Sequence, residues 1–126
     1  MFQKLLYLAI AGSLGTLSRY GLTVFFNKFN GTSFPYGTLV VNIVGCLLAG
    51  LLWTLFESKW TVTPETRLLV LVGFMGAFTT FSTFILESGD LVRSAQWFSL
   101  AANVTLQNGL GFAALFLGVS LGRLAS

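Results

Sequence analysis

Apolar positions along the chain gather into four long stretches separated by short polar ones. They cover about residues 5–26, 38–56, 66–91 and 97–121, each close to the roughly 20 residues an α-helix needs to cross hydrocarbon. "NKFNGTSFPYG" (27–37) carries the Asn, Gly and Pro of a loop. "ESKWTVTPE" (57–65) is a second loop, in which Thr63-Pro64-Glu65 matches a helix start with proline at the first helical position. The third stretch is interrupted: "GFMGAFTTFSTF" (73–84) sets two glycines and four hydroxyl side chains inside an apolar run. The pattern predicts an all-α membrane protein with four transmembrane helices, the third of them broken, in a single domain spanning 1–126.

Composition agrees. Of 126 residues 55% are hydrophobic and 9% charged, where a soluble domain carries roughly 25% charged residues. Trp53, Trp60, Trp97, Tyr20 and Tyr36 fall near the ends of the expected spans, as interfacial aromatic residues do. The absence of histidine removes imidazole catalysis and the commonest metal ligand. Cys46, the single cysteine, has no partner for an intrachain disulfide. The net charge of +3 is scattered, leaving no nucleic-acid footprint. No nucleophile–base pair, phosphate loop or metal cluster stands out, so an enzyme is not expected. The start, "MFQKLLYLAIAG", imitates a signal peptide, but the apolar run before Ala9-Ile10-Ala11 is shorter than the usual 7–15 residues. A retained first helix is expected.

Charge sets the expected orientation. An even number of spans puts both termini and the 57–65 loop on one side, with Lys4, Lys59, Arg67 and Arg123. The other side has Lys28 and Arg93, plus Arg19 if it lies near a helix end. So weak a bias allows insertion both ways, and two opposed copies could pair as an antiparallel dimer. Ala11 and Gly15, and Gly118 and Gly122, follow the small-xxx-small pattern, which serves packing within one subunit or between two.

Polar groups inside a span read as functional by default. Arg19 stays charged, so it snorkels to the headgroups or forms an electropositive vestibule for anions. Asn42 either ties helices together or offers an N–H to an anion. Asn103, Gln107 and Gly111 share one face of the last span at i, i+4, i+8 and line a wet path or bind helices. Glu87 and Asp90 close the third span. In the interruption, Gly73 and Gly76 permit torsions that other residues resist. Thr79, Thr80, Ser82 and Thr83 supply hydroxyls for backbone groups freed by a break. Such a break needs protein or water around it, and its loose carbonyls can coordinate a cation. Phe81 and Phe84, at i and i+3, share a face. A ring edge is electropositive and can attract an anion; ordinary packing explains the rings equally.

"GFMGAFTTFSTF" resembles the third-helix signature of the Fluc (CrcB) fluoride channels. "AGSLGTLSRY" (11–20) is similar to that family's first-helix motif, and "YGTLVVNIVG" (36–45) to its second. The resemblance implies a dual-topology antiparallel homodimer with two fluoride pores in a bacterial inner membrane. It implies an edge-on box from Phe81 and Phe84, a pore amide at Asn42, a threonine beside the pore at Thr38 and a vestibule cation at Arg19. It also implies a structural Na⁺ on the two-fold axis held by the backbone carbonyls of Gly76 and Thr79, and a pore-end acid at Glu87. Ser82, Thr83, Asn103 and Gln107 would complete the polar lining. Ala11-Gly12 stands where the family often has paired glycines, and Asn103, Gln107 and Gly111 stand where it often has a Tyr and Ser track. The expected function is passive, selective fluoride export that protects the cell. The alternative is a small multidrug-resistance type exporter coupled to protons, which would need a carboxylate in the first helix; Arg19 is the ion found there.

Overall fold

With no water in hydrocarbon to meet backbone polar groups, an apolar chain satisfies them within helices. The computed structural model, which describes residues 1–125, is helical in that way. It runs α1 (Phe2–Lys28), α2 (Tyr36–Ser58), α3 (Pro64–Arg67), a π-helical segment (Leu68–Phe74), α4 (Met75–Phe78), α5 (Phe81–Arg93) and α6 (Trp97–Leu124). Helix falls in each expected stretch and runs a few residues past the expected ends, except that α6 begins at Trp97 as expected. Pro64 opens α3, and the Thr63 side chain accepts from the Thr66 N–H at 3.2 Å, a side-chain cap.

Three helices, Tyr36–Ser58, Pro64–Arg93 and Trp97–Leu124, are long and apolar enough to cross a membrane. α1 has the length, about 40 Å at 1.5 Å per residue, but Lys4, Arg19 and its Ser and Thr residues make it less apolar.

The third helix departs from its reading in two ways. Its first half is wound wide, the Met75 N–H reaching the Val70 carbonyl. The break itself falls at Thr79 (φ −89°, ψ 155°) and Thr80 (φ −148°, ψ 113°), not at the glycines. Both threonines take ordinary extended torsions, so no glycine freedom is needed. Gly73 has a packing role instead: a Cβ there would lie 2.9 Å from the Ala11 side chain. Gly76 faces open space.

Small residues let backbones meet inside the subunit. α2 and α6 form the most extensive helix pair. A Cβ on Gly50 would collide with the Leu115 carbonyl, and one on Gly118 with the Leu47 carbonyl. One on Gly122 would reach Thr54 at 2.7 Å. Ala11 and Gly15 likewise pack on the third helix at Gly73 and Phe74. Both small-residue pairs therefore serve contacts within the chain. Val41, Met75 and Phe78 form the buried core beside the break, which holds Thr79 and Thr80 against α2.

Candidate functional site

A helix interrupted for two residues releases backbone groups, and their new partners define the site. The Thr80 N–H donates to Asn42 Oδ1 at 2.9 Å, and the Thr80 carbonyl accepts from Asn42 Nδ2 at 3.1 Å. Asn42 thus replaces a lost turn of helix with both ends of its amide. Its second N–H goes to Gln107 Oε1 at 3.1 Å, so α2, the break and α6 meet at one residue. Thr80 also caps α5: its Oγ1 accepts from the Thr83 N–H at 3.3 Å and donates to Thr83 Oγ1 at 2.9 Å. Arg19 Nε donates to the Ala77 carbonyl at 3.0 Å. The half-buried guanidinium is therefore held at the end of α4 rather than extended to the headgroups.

Two N–H groups that a continuous helix would send to the carbonyls of Gly76 and Thr79 belong to Thr80 and Thr83. Here they go to Asn42 Oδ1 and Thr80 Oγ1. The carbonyls of Gly76 and Thr79 are thereby released from the helical ladder.

Cavities lie on both sides of the break. One, of ≈410 Å³, is bordered by Asn42, Thr79, Thr80, Phe81, Phe84 and Gln107 among others. The Phe81 and Phe84 rings lie 5.8 Å apart, tilted by 60°. Phe84 is buried at 6% exposure, but Phe81 is 74% exposed, so the shared face predicted for them turns one ring inward and one outward. The other cavity, ≈170 Å³, is lined by Thr16, Arg19, Tyr20, Thr23, Thr38, Thr80 and Thr83. Every side chain in that set is a hydroxyl donor except the one cation. Thr38 continues outward, its Oγ1 donating to Glu87 Oε1 at 2.7 Å. Glu87 in turn borders a polar cavity of ≈360 Å³ under the 29–35 loop.

The structure therefore gathers Asn42, Phe81, Phe84 and Gln107 around one cavity and Arg19, Thr38 and Thr83 around the other. Ser82 is exposed beside Thr80, 3.5 Å between hydroxyls. Asn103 stands apart: fully buried, its Nδ2 donates to Ser88 Oγ at 3.1 Å. Asn103, Gln107 and Gly111 do share the inward face of α6, Gly111 packing near Cys46. Sequence reasoning passed over Thr80 as the cap and Thr16, Tyr20 and Thr23 as lining. A signal existed, since Thr16, Arg19, Tyr20 and Thr23 fall at i, i+3, i+4 and i+7 of one helix face.

Chemically the arrangement brings hydroxyls, amides and two aromatic rings together with a fixed cation, which suits a small anion. It assembles no base and nucleophile. Among the described residues no three His, Cys, Asp or Glu side chains gather as a metal site.

Comparison with known proteins points the same way. Residues 6–119 match the family model described as CrcB-like protein, Camphor Resistance (CrcB). The fluoride-specific ion channel FluC of Desulforapulum autotrophicum is 61% identical over 98% of this chain and 99% of its own length. Proteins of the same name from Solidesulfovibrio magneticus and Nitrosococcus oceani are 51% and 47% identical, again over 98% of this chain and 99% of theirs.

Proposed function

The chain belongs to the CrcB family, and on that footing we infer that it is a fluoride-selective membrane channel, not an enzyme. It releases F⁻ passively from the cytoplasm and so protects the cell. The observation that carries this reading is near-full-length identity to proteins named fluoride-specific channels, joined to donor-lined cavities flanking a helix break. Fluoride is small and tightly hydrated, so a pore must replace its water with donors, each weak enough to let the ion leave. The hydroxyl of Thr83, the edges of Phe81 and Phe84 and the amide of Gln107 fill that role, while Asn42 and Thr38, whose hydrogens go to Thr80, Gln107 and Glu87, hold the lining in place. Arg19 raises the local anion concentration, and Glu87, bonded to Thr38, ends the path. Ser82 extends the hydroxyl lining, while Asn103 acts through Ser88.

The working unit is a dual-topology antiparallel homodimer of four-span subunits in a bacterial inner membrane. Two features support it. The ≈410 Å³ cavity is bordered by the exposed Phe81 and Gly76, and an ion path open to lipid there would leak and stall. The released Gly76 and Thr79 carbonyls also need a partner at membrane depth. They suit a Na⁺ ion: two carbonyls from each copy would hold it on the axis, and the ion would supply positive charge that fastens the two breaks together.

A proton-coupled exporter is disfavoured, because α1 carries no carboxylate and its Arg19 is bound to a carbonyl. The test is the purified chain in liposomes loaded with KF or KCl and opened to K⁺ with valinomycin. We expect rapid F⁻ efflux, read with a fluoride electrode, and no comparable Cl⁻ efflux. Equal release of both ions, or of neither, overturns the reading.

A further inference from the structure

A serine or threonine in a helix has an acceptor ready to hand, the carbonyl four residues back. Ser13, Thr54, Ser88 and Ser120 use it, at 2.8–2.9 Å. In α1, Thr16 and Thr23 leave it unused, and their hydroxyls, like that of Tyr20, make no hydrogen bond among the described residues. These three and Arg19 form the α1 side of the ≈170 Å³ cavity. Elsewhere its wall is largely committed. The hydroxyl hydrogens of Thr38 and Thr80 go to Glu87 and Thr83, and Arg19 Nε goes to the Ala77 carbonyl. What remains is a set of hydrogens: those of the three α1 hydroxyls, of Thr83 and of the terminal nitrogens of Arg19. No carboxylate stands among the lining residues. Arg19 lies about 13 Å along α1 from its end at Lys28, at 1.5 Å per residue. At such a depth polar groups face a bundle interior or a water-filled cavity.

We propose that this cavity is an anion-binding site in its own right, in which the α1 hydroxyls of Thr16, Tyr20 and Thr23 replace part of a fluoride ion's water. The proposal rests on the fluoride-channel reading and adds α1 to the residues that touch the ion, which attraction by the charge of Arg19 alone does not require. A volume of ≈170 Å³ holds about five waters at roughly 30 Å³ each. An ion therefore enters with some of its water and exchanges the rest for the wall. Hydroxyl oxygens can also face a cation, but the fixed guanidinium repels one. Among anions the smallest gains most, since attraction to a hydroxyl hydrogen rises as the ion's radius falls. Thr80 borders both this cavity and the ≈410 Å³ one that holds the rings. Two partial sites thus stand in series across the break, as release from each requires. The same hydroxyls are part of what makes α1 less apolar than the other long helices.

The experiment is NMR on the full-length protein in lipid nanodiscs, with ¹³C at tyrosine Cζ, whose signal follows hydrogen bonding of the hydroxyl. Only Tyr7, Tyr20 and Tyr36 are visible, and Tyr20→Phe identifies its signal by loss. NaF is titrated against NaCl at constant Na⁺. The Tyr20 signal moves with NaF at concentrations where NaCl leaves it in place, while Tyr7 and Tyr36 move with neither. In the double variant Thr16→Val with Thr23→Val, which keeps side-chain shape, the NaF needed for half the shift rises about tenfold or more, the loss of hydrogen bonds to a charged partner. In liposomes loaded with graded KF, the F⁻ needed for half-maximal efflux rises by a similar factor, more than the maximal rate falls. A merely structural role would lower the maximal rate alone. Ser13→Ala, whose hydroxyl is bonded within its own helix, changes neither. A Tyr20 signal indifferent to NaF, or moved equally by NaCl, overturns the proposal, while selective wild-type efflux continues to support the channel. An unchanged half-maximal concentration in the double variant overturns it too. If that variant fails to fold, the wild-type titration alone decides.

Discussion

At the scale of single residues, the two phenylalanines after the break are the most informative pair. They are identical in chemistry and three apart in sequence, yet Phe84 is 6% exposed and Phe81 74% exposed. Ring packing inside the subunit therefore accounts for Phe84 and leaves Phe81 unexplained. Replacing each by isoleucine separates packing from ion contact. Phe81→Ile touches little within the fold and should leave the thermal unfolding of the subunit unchanged. Phe84→Ile removes core volume and leaves part of it as a cavity, which adds to the lost burial, and should lower the melting temperature. Both should cut F⁻ efflux by about tenfold or more, because a ring edge has no aliphatic substitute. Fluoride-electrode traces and circular-dichroism melts on the same preparations check this. Full efflux in both variants would remove the rings from the pathway.

At the scale of elements, the fold is an assembly of helices held by close backbone approach and by the ties around one break. The all-helical character, the three spans from Tyr36 onward and the loops before and after the first of them could be read from hydropathy and turn residues. The Thr63-Pro64 start was legible because proline and a capping hydroxyl act locally. The seat of the break was not. Glycine advertises torsional freedom, but Thr79 and Thr80 adopt extended torsions open to any residue. Asn42, distant in sequence, supplies the hydrogen bonds that make the extended form stable. Local propensity carries no trace of such a partner. The small-residue pairs had the opposite fate: the spacing was visible, but their use within the subunit depended on which helix lay opposite. The α2–α6 contact yields a direct prediction. Gly118→Leu drives a side chain into the Leu47 carbonyl and should destabilise the fold by about 1–3 kcal/mol or more. In the same helix Gly109 has open space around it, and Gly109→Leu should leave the detergent-solubilised melting temperature near that of the parent. Equal losses in both would show that close approach is not what holds the pair.

At the scale of the whole molecule, two features of the subunit bear on the proposed pairing of copies. Its cavity of ≈410 Å³ is bordered by the exposed Phe81, and Gly76 points to open space beside carbonyls freed by the break. A second copy in opposite orientation would bring Gly76 against its own counterpart near the membrane midplane, since it lies close to the middle of Pro64–Arg93. The same symmetry would separate residues near helix ends by about the 30 Å thickness of the hydrocarbon. Phe98, exposed at the start of α6, would then have its counterpart on the far side. Replacing Cys46 with serine leaves no thiol, and cysteine can be placed at either position. Under mild oxidation in membranes, Gly76→Cys should run as a disulfide-linked dimer on a non-reducing gel, while Phe98→Cys should remain monomeric. Exchanging Na⁺ for N-methylglucamine during purification should weaken the Gly76→Cys cross-link if the carbonyls share an ion on the axis. A dimer from Phe98→Cys without one from Gly76→Cys would indicate parallel copies, and neither the antiparallel assembly nor an axial Na⁺ would survive that result.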